Sequence, residues 1–169
     1  ALAFMIYSGL VISSWNAIAF WNSPLVPVLF AGFSFLGGLA ALPVIAWLAE
    51  GLTAMELVGA AIWPIVLALI AGDAILLALY VHGMSTATRP ARVSVGLILA
   101  GAERRRFVGG VVTLGLLIPA VVVSLETIGS LGTGTGAALL LAGAVAAVEA
   151  GGYFLRDTIL RAGVYGPPV

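Results

Sequence analysis

AALLLAGAVAAVEAGGYFLRDTILRAG, residues Ala137 to Gly163, decides the fold. From Ala137 to Val148 it holds no polar side chain. It shows no alternation of apolar and polar residues, which the short strands of a membrane β-barrel require. Backbone polar groups in hydrocarbon must be satisfied within the segment, and a helix does this. About 20 apolar residues suffice to cross a bilayer. Ala137 to about Leu155 therefore reads as a membrane-spanning helix, extending towards or past Arg161. Its tail places Arg156, Asp157 and Arg161 close together, as an anchor at the membrane surface or as part of a site.

The rest of the chain fits this reading. Of 169 residues, 62% are hydrophobic and 8% charged, against about 25% charged in an ordinary soluble domain. So few charges leave too little polar surface to cover a soluble fold. The expected class is an all-α integral membrane protein, an antiparallel bundle of one partial and four full spans. Seven basic and seven acidic residues give a net charge of zero, without the basic footprint of a nucleic-acid partner. The absence of cysteine removes disulfides, thiolate chemistry and any iron–sulfur cluster held by this chain alone. The single histidine, His82, excludes a haem held by two histidines of the chain.

The opening ALAFMIYSGLVISS (residues 1–14) is already apolar and lacks the pattern of a signal peptide. It reads as a helix cut partway, the remnant of a preceding bundle. Four spans follow within a 24–162 bundle: Pro24 to about Ala49, Met55 to His82, Phe107 to Leu125, and Ala137 onwards. Ser23-Pro24 has the form of a helix start, with serine at the N-cap and proline at the first helical position. Pro43, Pro64 and Pro119 fall inside spans, where neighbours can satisfy the freed carbonyls. Gly37-Gly38 and Gly109-Gly110 suit close helix packing. GTGTG (132–136) lacks the lysine of a phosphate loop and reads as a turn. The apolar run 93–102 is too short to span and is expected at the interface or against the bundle.

The loops carry a sharp charge asymmetry. Arg89, Arg92, Arg104, Arg105, Arg106, Arg156 and Arg161 all fall on one side of this span arrangement, and Glu50, Glu56 and Glu126 on the other. The positive-inside rule then places the C-terminus of this multi-pass chain in the cytoplasm.

Ionisable groups at membrane depth are costly and rarely idle. Asp73 in LIAGDAILLALY and Glu149 in VAAVEAGGYF are expected to face the bundle interior, as a proton route or as interhelical hydrogen bonds. Arg156 follows Glu149 by two helical turns, on the same face, and could reach a carboxylate or a lipid phosphate. Arg161 reads as a surface anchor. His82, at the end of its span, is an interfacial group or a proton-entry group. Trp15 and Trp21 fit an aromatic belt. No nucleophile–base pair and no metal-ligand set is legible.

Three stretches resemble the NrfD-like family, the membrane subunits of polysulfide and nitrite reductases. YSGLVISSWNAIAFWNSPLVPVLFAGFSFLGGLA (7–40) is similar to the family's Tyr-Thr-Gly, Phe-Trp-Asn-(Ser/Thr)-Pro-Leu-Leu-Pro and small-residue helix. LILAGAERRRFVGGVVTLGLLIPAVV (97–122) is similar to its Gly, Phe-(Trp), Gly-x-x-x-Pro pattern. GGYFLRDTILRAG (151–163) is similar to its closing Gly-Gly-(Phe/Tyr)-x-x-Arg-Tyr motif. The resemblance covers nearly the whole chain and corresponds to the last five of the family's eight helices. It implies two four-helix bundles, the second complete here, in a haem-free subunit of an oxidoreductase complex of anaerobic respiration in a prokaryotic cytoplasmic (inner) membrane. Such a subunit exchanges electrons between menaquinone or ubiquinone and an iron–sulfur partner, which serves a molybdopterin-type catalytic subunit. It implies Tyr7 as a quinone hydrogen-bond donor, although Ser8 replaces the usual threonine. Asp73 stands where many members carry glutamate, and Asp157 replaces an aromatic residue. The expected function is thus a quinone-interacting membrane anchor subunit, itself non-catalytic or quinone-reactive, with a proton route. The residues alone also admit a proton-translocating or transporter-like module, or a purely structural anchor.

Overall fold

The computed structural model describes residues 2–15, 17–132 and 134–165. Its elements are α1 (Leu2–Ser13), α2 (Leu25–Glu50), α3 (Leu52–Thr86), α4 (Arg89–Leu99), a π-helix (Arg105–Leu117) running directly into α5 (Ile118–Thr127), and α6 (Thr135–Arg161). Among the described residues there is no strand. Among the described residues, four helical stretches are long and apolar enough to cross a membrane: α2, α3, the π-helix with α5, and α6. The protein is an all-α, multi-pass membrane helix bundle.

Both α2 and α3 are apolar on every side, the composition of a membrane span rather than of an amphipathic surface helix. Successive spans run antiparallel. They close a ring in which α2 packs on α3 and α6, and the π-helix and α5 pack on α6 and α3; α1 packs on α2. The 35 residues of α3 make a helix about 50 Å long at 1.5 Å per residue. That exceeds the ~30 Å hydrocarbon core, so α3 extends past the bilayer.

The start of α2 follows its sequence signal. The Leu25 amide donates to Ser23 Oγ at 3.3 Å and the Val26 amide to the Ser23 carbonyl, so Ser23 caps the orphan donors of the first turn. The segment expected at 93–102 is a helix that begins earlier, at Arg89. Its apolar side (Ala91, Val95, Ile98) is buried, against α3 and the π-helix. Arg89 and Arg92 sit on its exposed side.

One span departs from an ordinary α-helix. From Arg105 to Leu117 the winding is π, with i→i+5 bonding, as in the Ile118 amide donating to the Thr113 carbonyl. In an α-helix, residues five apart point about 140° from one another. In the π winding they come close to one face, and here Gly110 and Gly115 both meet α6. A Cβ on Gly110 would lie 2.6 Å from Cγ of Phe154, and one on Gly115 would lie 2.7 Å from Cα of Gly151. The π register ends where Pro119 enters the next turn, since proline offers no amide to continue it.

The arginine-bearing end is tied by polar links. Tyr80, 1% exposed, donates its hydroxyl to the Phe20 carbonyl at 2.6 Å and packs on the Phe20 ring with centroids 5.2 Å apart. Trp21 Nε1 donates to the Ile159 carbonyl at 2.8 Å, and the Trp21 ring lies against Gly163. Trp21 is therefore a clamp between the α1–α2 loop and the end of α6, rather than a belt residue. Tyr80→Phe keeps the ring but strands a buried carbonyl. It is expected to lower bundle stability by about 1–2 kcal/mol, read as the shift in the denaturation midpoint of the purified protein; an unshifted midpoint would show that the carbonyl finds another donor.

Candidate functional site

Asp73 sits in the interior, as its sequence position leads one to expect. It is 3% exposed, on the side of α3 that faces α2. Gly32 of α2 makes room for it: a Cβ at Gly32 would overlap Asp73 Oδ1. Asp73 Oδ2 is buried without a hydrogen-bond partner. The carboxyl lines a cleft of about 350 Å³ between α2 and α3, whose other walls are Val28, Ala31, Phe35, Ala68, Leu69, Leu76 and the backbones of Gly32 and Gly72. Val28, Phe35 and Ala68 are exposed, so the cleft opens on the outer surface of the bundle, where lipid lies.

Glu149 corrects an expectation. It lies near the middle of α6 but is exposed, not interior. Residue 149 falls on the flank of α6 where α2 has only Gly37. The carboxylate lies across that glycine, where a Cβ would overlap Oε1, and its far side stays open. Gly32 and Gly37 are five residues apart, so they point about 140° from each other around α2. Asp73 and Glu149 therefore occupy different flanks of α2 and do not form a contiguous relay.

Arg156 also corrects an expectation: it turns towards α2, but not to an acid. Its Nη2 donates to Ser34 Oγ at 2.7 Å, and its guanidinium carbon stands 5.6 Å from the centre of the Phe30 ring. Ser34 in turn donates to the Phe30 carbonyl. A hydroxyl and an aromatic face satisfy a guanidinium that lies two turns beyond Glu149. Among the described residues no carboxylate pairs with Arg156.

Asp157 had no account in the sequence and has a clear one here. It accepts from Arg161 Nε at 2.7 Å and lies 3.5 Å from Arg106 Nε, while Arg106 also pairs with Glu103 at 2.6 Å. An acid at 157 thus joins the last turn of α6 to the first turn of the π-helix. Arg161 is half-exposed at this surface, in keeping with an anchor.

The remaining candidates stand apart. His82 is exposed on α3, nine residues beyond Asp73 and so on the opposite face of that helix. Tyr7 is 64% exposed on α1, which rests on α2 with Gly9 against Pro27. Five residues named from the sequence thus lie at five separate places. Sequence reasoning treated Glu56 and Glu126 only as loop charges. They line a cleft of about 270 Å³ with Trp63 and Pro64 at the end opposite the arginines. Among the described residues no group of three or more His, Cys, Asp or Glu side chains could hold a metal ion. Comparison with family models, characterised proteins and solved structures finds no match to this chain.

Proposed function

We propose that this protein is a quinone-interacting membrane anchor subunit of a respiratory oxidoreductase complex, with a proton route through Asp73. The observation that carries the reading is the Asp73 carboxyl, buried within a spanning helix with one oxygen lacking a partner. Burying an acid at membrane depth costs several kcal/mol, and a carboxyl kept there can take up and release a proton beside a lipid-facing cleft. The motif resemblance supplies the redox half. A bound quinone would bring two-electron, two-proton chemistry, and the Tyr7 hydroxyl, exposed on α1, would donate a hydrogen bond to it. Electrons would pass to or from an iron–sulfur subunit and a molybdopterin-type catalytic subunit. The arginine-bearing end would face the cytoplasm of a prokaryotic cell, following the charge asymmetry.

Tyr7→Phe tests the quinone half. Because Tyr7 is exposed, the variant is expected to assemble normally while quinol-linked turnover of the intact complex falls about tenfold. That is the loss expected for one hydrogen bond of about 1.4 kcal/mol. Turnover with an artificial electron donor should be unchanged. Equal quinol kinetics in both proteins would remove Tyr7, and a complex that never turns over quinol would leave a structural anchor.

A further inference from the structure

We infer that the α2/α3 cleft is a binding site for a membrane-dissolved molecule with an apolar body and a single hydroxyl head, an alcohol or phenol, which hydrogen-bonds the Asp73 carboxyl. The inference shares Asp73 with the functional reading above, but it rests on the shape and chemistry of the cleft and requires no redox step.

Four features define the ligand. The cleft, at about 350 Å³, is at the small end of ligand pockets, which run from roughly 300 to 1,000 Å³. That suits one ring system or a chain segment. Its mouth is edged by the exposed Val28, Phe35 and Ala68, so a molecule dissolved in the lipid enters without crossing the bundle. Its walls are hydrocarbon and glycine backbone apart from Asp73, so the body of the ligand must be apolar. Its polar demand is one carboxyl. Among the described residues Asp73 Oδ2 has no hydrogen-bond partner and no side-chain hydrogen bond reaches Oδ1, and a carboxyl in that state costs free energy until a donor meets it.

A hydroxyl can donate to the carboxyl without bringing a charge into the cleft. An ammonium head brings a full charge into a hydrocarbon cleft, where the desolvation of two ions can exceed their attraction. A plain acyl chain fills the volume but leaves the carboxyl unsatisfied. Gly32 and Gly72 set the shape, because any side chain on Gly32 would displace the carboxyl.

The test is photolabelling of the purified protein in lipid nanodiscs, with a long-chain alcohol carrying a diazirine and with the matching diazirine alkane that lacks the hydroxyl. Labelled peptides are mapped by mass spectrometry. The alcohol is expected to label the segments 28–35 and 68–76 about tenfold more than the alkane, the preference given by a single hydrogen bond of about 1.4 kcal/mol. Ala68→Phe fills the cleft from its exposed rim without touching the core, and is expected to abolish the labelling there. Asp73→Leu should equalise alcohol and alkane. Equal labelling by the two probes in the unchanged protein would overturn the inference, as would alcohol labelling that persists in Ala68→Phe or spreads evenly over all lipid-facing helices. The probes are redox-inert, so alcohol binding in a complex that fails to use quinol would sink the quinone reading alone. Quinol turnover without alcohol preference would sink this one alone.

Discussion

Gly151→Leu is expected to separate α6 from the π-helix and to leave little folded protein after purification. The two backbones meet at Gly115 and Gly151. A Cβ on Gly151 would overlap Cα of Gly115, and one on Gly115 would lie 2.7 Å from Cα of Gly151. Neither backbone has a flexible side-chain end that could yield. Overpacking a tight contact costs about 1–3 kcal/mol for small additions, and leucine adds far more volume than a methyl group. Helix association in a bilayer depends on such close packing, because lipid is as apolar as the helix surface. Gly151→Ala is the graded companion, expected to lose about 2 kcal/mol. Gly143 on the same helix is the control, since a Cβ there meets nothing within 4 Å. Gly143→Ala should match the parent in the denaturation midpoint. If Gly151→Leu is as stable as Gly143→Ala, the backbone contact does not hold the two helices.

Asp73→Asn is expected to lower quinol-linked proton uptake in proteoliposomes by about 100-fold. That is the low end of what a positioned proton-transfer group contributes. Asparagine keeps the volume and one acceptor oxygen, so the bundle should assemble. Gly32→Ala perturbs the same group without changing its chemistry, because the added methyl would displace Oδ1, and a smaller loss in the same direction is expected. Equal proton uptake by Asp73→Asn and the parent would remove Asp73 from any proton route.

The spans were legible because a helix in lipid must be apolar for about 20 residues, and that demand is written in consecutive residues. Ser23 as a cap and Asp73 as an interior acid were legible for the same reason: each follows from local sequence and depth. What escaped depends on neighbours brought in from elsewhere in the chain. Glu149 reads like Asp73 in sequence, yet it is exposed, with its carboxylate lying across Gly37 of α2. The partner of Arg156 is Ser34, a residue 122 positions away with no charge to advertise it. The π winding of 105–117 answers to Phe154 and Gly151 on another helix, so the local sequence GGVVTLG gave no reason to expect it. Asp157 broke the motif pattern, and that departure was itself the available signal, since an acid beside Arg161 needs only Arg106 to become a three-way ion pair.

Among the described residues, the four polar links between elements, Trp21 to Ile159, Tyr80 to Phe20, Arg156 to Ser34 and Arg106 to Asp157, all lie towards the arginine-bearing end. Among the described residues, no side-chain hydrogen bond or ion pair joins two elements near Glu50, Glu56 or Glu126. The bundle is therefore fastened unevenly: side-chain links tie one end, while the other is held by the tight α2–α3 turn at Gly51, the loop from α5 to α6 and packing.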